Sequence, residues 1–229
     1  MSPGDVISYI EMCAGLDVNL QRGMNYRLCR DSSLILMSVR RGAPYADRVE
    51  DAGRVLIYEG HDVPRNKDCP RPKSVDQPLS YPGGRPTQNG LFLVAAEQYK
   101  EGKRAPEQVK VFEKIRAGIW VYNGLFLLTD AWDEQSEGRR VFKFRLELTT
   151  DPDPPQRTTI NLDTDRVIPS VVKLEVWKRD KGRCVLCGER TNLHFDHIIP
   201  YSQGGSSKDA RNIQILCARH NLEKHDRIM

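Results

Sequence analysis

Two pairs of metal-binding residue types stand near the C-terminus, Cys184-x-x-Cys187 and Cys217-x-x-His220, separated by 29 residues. Three thiolates and an imidazole, delivered two by two from two turns, suit tetrahedral Zn2+. Four protein ligands leave no open position for a substrate, so the site is read as structural, and so small a module needs it to fold. His220 is the ligand with an alternative, since it could face a neighbouring catalytic centre instead. Between the pairs lies Asp196-His197, followed by Asn212 and, beyond the second cysteine pair, Asn221. A neutral imidazole with a pKa of about 6.5 can accept a proton at neutral pH, and a carboxylate beside it offers the hard oxygen that Mg2+ or Mn2+ prefers. Adjacent residues on a strand point to opposite faces, so the two are expected to do different work.

The elements that must position these groups can be read from local pattern. Residues 194–199 and 213–216 read as short strands, Gly204-Gly205 as the loop between them, and residues 218–227 as a helix. A further helix over 171–179 is opened by Pro169-Ser170. The run Asp196-His197-Ile198-Ile199-Pro200, the Gly-Gly turn, the Asn212 step and Cys217-x-x-His220-Asn221-x-x-Lys224 together resemble the ββα-metal fold of HNH nucleases over residues 168–227, with Ile213 where Leu is usual. The resemblance implies that His197 is the general base and that Asp196 and Asn221 hold a catalytic Mg2+ or Mn2+, with His225 able to substitute or assist. It implies that Asn212 holds the loop and orients the base, and that Arg211, Arg219, Lys224 and Arg227 contact phosphates, although each cation also reads as a plain surface residue. The reaction implied is phosphodiester hydrolysis, one strand per module, so a double-strand break needs a homodimer or successive binding.

The rest of the chain is larger and less explicit. Its net charge of +4 is uneven: residues 173–229 hold 11 Lys/Arg against 7 Asp/Glu, while residues 1–172 hold 24 of each. That modest basic bias beside the metal motif suits a polyanion. No apolar run is long enough to span a membrane and no basic-then-apolar leader opens the chain, so no membrane partner and a prokaryotic cytoplasmic location are expected. Cys13, Cys29 and Cys69 are scattered and read as reduced thiols rather than a disulfide framework. Residues 149–158 are Pro-rich and polar, which divides the chain into a domain over 1–148, a linker over 149–167 that would set the reach of the nuclease, and a domain over 168–229. Strand-like runs recur at 33–38, 54–58, 118–122, 125–128 and 141–148, with helices expected over 6–14 and 91–99. The stretch 61–89 carries six prolines with Arg65, Lys67, Arg71, Lys73 and Arg85, and reads either as a solvated excursion or as a basic arm along phosphates, Arg65 and Lys67 foremost.

Tyr45-Ala-Asp47, Gly53 and the strand ending Tyr58-Glu-Gly60 resemble the SET- and RING-associated (SRA) domain. Thr87-Gln-Asn89-Gly-Leu91, Val109-Lys-Val-Phe112 and Tyr122-Asn123-Gly-Leu-Phe126 match further family steps in order across residues 40–148, with Asn123 where the family has Asp. The resemblance implies a domain that flips 5-methylcytosine out of the duplex, with Tyr45, Tyr58 and Asp47 supplying aromatic faces and an acceptor for the base. The fold expected is α+β: an N-terminal, mostly-β curved sheet or barrel of SRA/PUA-like kind and a zinc-stabilised ββα-metal HNH domain. The function expected is a DNA endonuclease directed to double-stranded DNA carrying 5-methyl- or 5-hydroxymethylcytosine. An HNH nuclease reading unmodified DNA or structure, and a non-cutting reader with a zinc scaffold, remain as alternatives.

Overall fold

Alternating apolar residues over the middle of the chain drive a single large sheet. The computed structural model describes residues 1–229 apart from 19, 21, 30, 31, 150–166, 225–227 and 229. Among the described residues, β1 (Asp5–Ser8) leads into α1 (Tyr9–Leu16), then β2 (Met24–Cys29), β3 (Ser32–Met37), β4 (Arg48–Glu50) and β5 (Val55–Glu59). After the long excursion come α2 (Gln88–Lys100), β6 (Glu107–Arg116), β7 (Ile119–Ser136) and β8 (Arg139–Leu148). The C-terminal part is α3 (Ser170–Arg179), β9 (Leu193–His197), β10 (Ile213–Cys217) and α4 (Ala218–Lys224). The fold is α+β and rich in strand, as expected. The linker expected over 149–167 lies almost wholly outside the described residues, and so do His225 and Arg227.

The strand order is β10-β9-β1-β7-β6-β3-β2, and off this path β8 pairs with β7, β5 with β8 and β4 with β5. All pairs are antiparallel except β3 with β6. Because β7 runs for 18 residues, its first half pairs with β1 and its second half with β8, while β6 lies along it on the other side. The curved sheet closes over α2 around a core that includes Met37, Leu56, Phe92, Val109, Phe126, Phe144 and Leu146. A second core joins the middle of the chain to its C-terminal part: Ile115 and Val121 of the sheet pack with Val172 and Val176 of α3, Leu193 and Phe195 of β9, and Ile213 and Ile215 of β10. Arg179, at the end of α3, donates to the carbonyls of Ala210 and Ile213, both at 2.6 Å, and Asp180 accepts from the Ile215 amide, so α3 grips β10 directly.

Three local expectations change. Residues 6–14 are not one helix. Ser8 accepts from the Glu11 amide while Glu11 accepts from the Ser8 amide, a capping box that starts the helix at Tyr9 and frees residues 5–8 to pair as a strand. The runs 118–122 and 125–128 belong to one strand, β7, interrupted by a bulge: Val111 pairs with Gly124 and Phe112 with Tyr122, leaving Asn123 as the extra residue. The excursion 61–89 is not simply solvated. Buried Gln77 donates to the Gly60 carbonyl at 2.6 Å and accepts from the Phe142 amide at 2.8 Å, and Thr87 caps α2 while donating to the Pro78 carbonyl.

Gly90, in the first turn of α2, faces the carbonyl oxygen of Leu79 so closely that a Cβ would collide with backbone. Gly90→Ala is therefore expected to destabilise by about 1–3 kcal/mol. A fall of several degrees in the melting temperature, measured by calorimetry, checks it; an unchanged midpoint would show that the excursion yields freely.

Candidate functional site

The four soft ligands converge. Cys184 Sγ and Cys217 Sγ lie 3.4 and 3.3 Å from His220 Nδ1, Cys187 Sγ lies 3.8 Å from Cys217 Sγ, and all four atoms fall within 4.8 Å of one another. A tetrahedral zinc with bonds of about 2.3 Å to sulfur and 2.0 Å to nitrogen separates its ligand atoms by about 3.5–3.8 Å, so the cluster has the size of that site. Burial alone would raise the Cys184 thiol, but amide groups of Cys187, Cys217 and Leu186, with His220, outweigh it and bring its pKa to about 6. That environment favours the thiolate a metal requires. His220 therefore belongs to the closed cluster and not to the neighbouring centre. Among the described residues no other group of three or more His, Cys, Asp or Glu side chains is drawn together in this way.

Beside the cluster, β9 and β10 form a hairpin that holds the hydrolytic candidates. Asp196 pairs in register with Gln214, and its Oδ2 accepts from Gln214 Nε2 and lies 3.1 Å from Lys224 Nζ. His197 Nε2 lies 2.8 Å from the hydroxyl of buried Ser207, and its ring meets that of Tyr201 edge-on at 6.2 Å. The two neighbours thus engage different partners, as strand alternation requires. Asn212 spends its amide on the loop: Oδ1 accepts from the Ile199 amide, and Nδ2 donates to the carbonyls of Ile199 and Ser206. Gly205 lies so close to the Ile199 carbonyl that a Cβ would collide with it, which explains the second glycine of the turn. Asn212 is therefore a positioning residue for the segment after His197. Asn221 sits on α4, half-buried, one residue after His220 of the Cys3His cluster. A carboxylate and an amide are hard donors of the kind Mg2+ or Mn2+ takes, and no hydrogen bond engages Asp196 Oδ1 among the described residues.

Lys224 corrects the expectation of a phosphate contact. It is fully buried, and its ammonium donates to the His197 carbonyl at 2.6 Å while pairing with Asp196. Burying an ammonium is tolerable only with such partners, so Lys224 braces β9 from beneath. Arg211 is exposed but held in a two-pronged pair with Asp209, and Arg219 pairs with Glu223. Arg65 and Lys67 are exposed, and Arg65 lines the cavity of the N-terminal domain.

That cavity measures about 520 Å3 and is walled by Tyr45, His61, Asp62, Tyr81 and Arg22 among others. Of the three residues expected to line a base pocket, only Tyr45 does so. Tyr58 is buried in the core behind His61, its hydroxyl 2.9 Å from His61 Nε2, and Asp47 accepts from the amides of Ser38 and Glu59. Burial raises the Asp47 pKa to about 6 against those two amides. Neither lines the cavity, because Tyr58 is committed to the His61 ring and Asp47 to two backbone amides. The cavity's carboxylate is Asp62, fixed by Arg139 at 2.6 Å and by Gln77 at 3.2 Å, with Lys73 at 3.4 Å. The His61 ring lies on Tyr45 at 5.2 Å and 13°. Asn89 clamps the His61 backbone through its amide and carbonyl, both at 2.8 Å, which gives the Thr-Gln-Asn step its physical reason. Sequence reading missed His61, Asp62 and Tyr81; the His-Asp pair directly after Gly60 was the available signal.

The metal-bearing segment, residues 184–227, matches the HNH endonuclease family model. The C-terminal module is thus of HNH type. The chain is also 26% identical over 252 residues to the histone-lysine N-methyltransferase family member SUVH2 of Arabidopsis thaliana, an alignment covering 95% of this chain and 37% of that protein. The chain thus corresponds to little more than a third of the length of that relative. Among solved structures it is similar to the SUVH5 SRA domain in complex with hemimethylated CG DNA, at 26% identity and a TM-score of 0.46, covering 68% of this chain and 94% of that one. It is similar as well to KRYPTONITE in complex with mCHH DNA, H3(1–15) peptide and SAH, at 22% identity and a TM-score of 0.45, covering 70% and 34%. No helix among the described residues is long and apolar enough to cross a membrane.

Two outcomes test this site. The purified protein should carry one zinc per chain by elemental analysis, and Cys217→Ser should lose it and lower the melting temperature by roughly 10 °C or more; full stability without metal would remove the structural role. Burial lowers the His61 pKa from 6.5 to about 4, so the unfolded chain takes up its proton first and stability falls as pH drops from 6.5 towards 4. His61→Phe should keep the ring on Tyr45 and flatten that part of the stability curve. An unchanged slope would assign the acid sensitivity elsewhere.

Proposed function

We propose that this protein is a modification-dependent DNA endonuclease, with the N-terminal domain taking a modified cytosine and the HNH-type module hydrolysing a nearby phosphodiester bond. The observation that carries the nuclease half is the hairpin itself: Asp196 and His197 stand side by side on a strand braced by Lys224, next to a closed Cys3His cluster, within a segment that matches the HNH family. In this reading His197 takes the proton from the attacking water, and Ser207 and the Asn212-held loop keep its ring in place. Asp196 and Asn221 would hold Mg2+ or Mn2+, which supplies charge neutralisation at the phosphate when bound.

The modified-base half rests on the sequence resemblance to SRA domains and on the cavity. Aromatic faces from Tyr45, His61 and Tyr81 and a fixed acceptor in Asp62 are what a flipped cytosine needs, and the cavity lies within the roughly 300–1,000 Å3 of small-ligand sites. Asp62 takes the acceptor role in place of Asp47. Arg22, Arg65 and Lys73 around the opening suit the phosphates that flank an extruded nucleotide. The biological setting proposed is restriction of modified DNA in a prokaryotic cytoplasm, with two copies acting to break both strands.

Matched plasmids that differ only in cytosine methylation, incubated with Mg2+ or Mn2+, test the whole reading. The methylated plasmid alone should be cut; equal cutting sinks the modification half, and binding without cutting makes the module a scaffold. His197→Ala should lower cleavage by about 10²–10⁴-fold with binding retained. Tyr45→Ala should lose discrimination between the plasmids before it loses zinc or fold.

A further inference from the structure

The strand bearing Asp196 and His197 does not belong to a separate body. Through β1 it continues the sheet of the N-terminal domain: Asp5 pairs with His194 and Val6 with Leu193 on one edge, while Val6, Ile7 and Ser8 pair with Val121, Trp120 and Ile119 on the other. Side chain and backbone repeat the attachment, with His194 Nδ1 2.9 Å from Asp5 Oδ1 and the Phe195 amide donating to the Gly4 carbonyl. Burial raises the Asp5 pKa, but His194 and the Ser2 amide outweigh it and hold the carboxyl below its usual range.

A second attachment lies on the other side of the shared core. The ammonium of Lys173, on α3, is buried 3.1 Å from Glu113 Oε2 of β6 and 2.6 Å from Asn123 Oδ1, and Asn123 Nδ2 donates in turn to Glu113. The bulge in β7 aims Asn123 into this junction, and Gly124 provides the positive φ that the bulge demands. Glu113 Oε1 is buried without a hydrogen-bond partner, so Lys173 is what compensates this carboxylate. Withdrawing α3 would strand both charges.

We propose that these two attachments, rather than the length of the segment 149–167, fix the distance along DNA between the recognised base and the bond that is cut. The proposal deepens the function given above and rests on it. A module on a tether reaches a span that grows as about 5–6 Å × √n with n linker residues, so its cuts would spread and move with linker length. A module built into the sheet cuts at one offset.

The test inserts ten Gly/Ser residues between Asp153 and Pro154 of the full chain and maps cuts on a duplex with a single modified cytosine. The parent and the insertion variant are expected to cut the same bonds; a shifted or broadened pattern in the insertion variant overturns the proposal. In that background Lys173→Met with Glu113→Gln, which replaces the ion pair by neutral groups, should broaden the pattern, and an unchanged pattern removes this junction from the positioning role. A readout independent of cleavage uses a site-specific protease sequence placed at the same point. After nicking, the two fragments should elute together in size-exclusion chromatography, whether or not the protein cuts DNA, and separate elution overturns the attachment. If no duplex is cut while the fragments stay together, the nuclease reading fails and the attachment stands.

Discussion

Everything in this molecule depends on one four-residue strand that is hydrogen-bonded on both edges. Residues 5–8 join β7 to β9, and without them the hairpin that carries Asp196 and His197 would end in an unpaired edge. The same pairing closes the second hydrophobic core, in which apolar side chains from the middle of the chain and from its last 60 residues pack together. The C-terminal part has a Cys3His cluster of its own but shares its core.

This coupling places the chemistry in layers. The outermost is the Cys3His cluster, which ties the turn at Cys184 to the junction of β10 and α4. Inside it, β10 sets the register of β9, so that Gln214 faces Asp196. Beneath both lies Lys224, and beyond β1 the N-terminal sheet begins. On the far side of that sheet Gln77 and Asn89 clamp the segment carrying His61 and Asp62, so the cavity too is held from secure elements. The cavity and the Asp196–His197 hairpin are thus two ends of one framework.

How much of this was legible in the sequence follows from the range of each interaction. Metal ligands come in pairs three residues apart, and that local spacing survives any fold, so the Cys3His cluster could be read directly. The Asp-His strand and the Asn212 step were legible for the same reason. Residues 6–8 read as the start of a helix because a four-residue strand with two apolar residues, Val6 and Ile7, carries no period of its own, and its partners lie more than 100 and nearly 190 residues away. Lys224 was read as a surface cation because residue type suggests exposure; only the packing of α4 against β9 shows that its face points inward. Tyr58 and Asp47 matched a pattern, yet His61 and Asp62 occupy the cavity wall. A strand's alternation tells which residues turn inward, but not whether inward means a pocket or a core. Asn123 was noted as a departure, and its role becomes visible only through the bulge that turns it towards Lys173.

The buried Lys224 ammonium gives the Asp196 carboxylate a permanent counter-charge. Two like charges 4 Å apart repel by about 4 kcal/mol at an effective dielectric constant of 20. A phosphate arriving beside an unpaired Asp196 would meet repulsion of that order until a cation came between them. With the ammonium already 3.1 Å from Oδ2, the pair is close to neutral, and in the proposed function the polymer could settle against it first. In the function proposed above, the order of assembly would thereby be left open at the protein's side: the duplex could be inspected first, and the metal could join last.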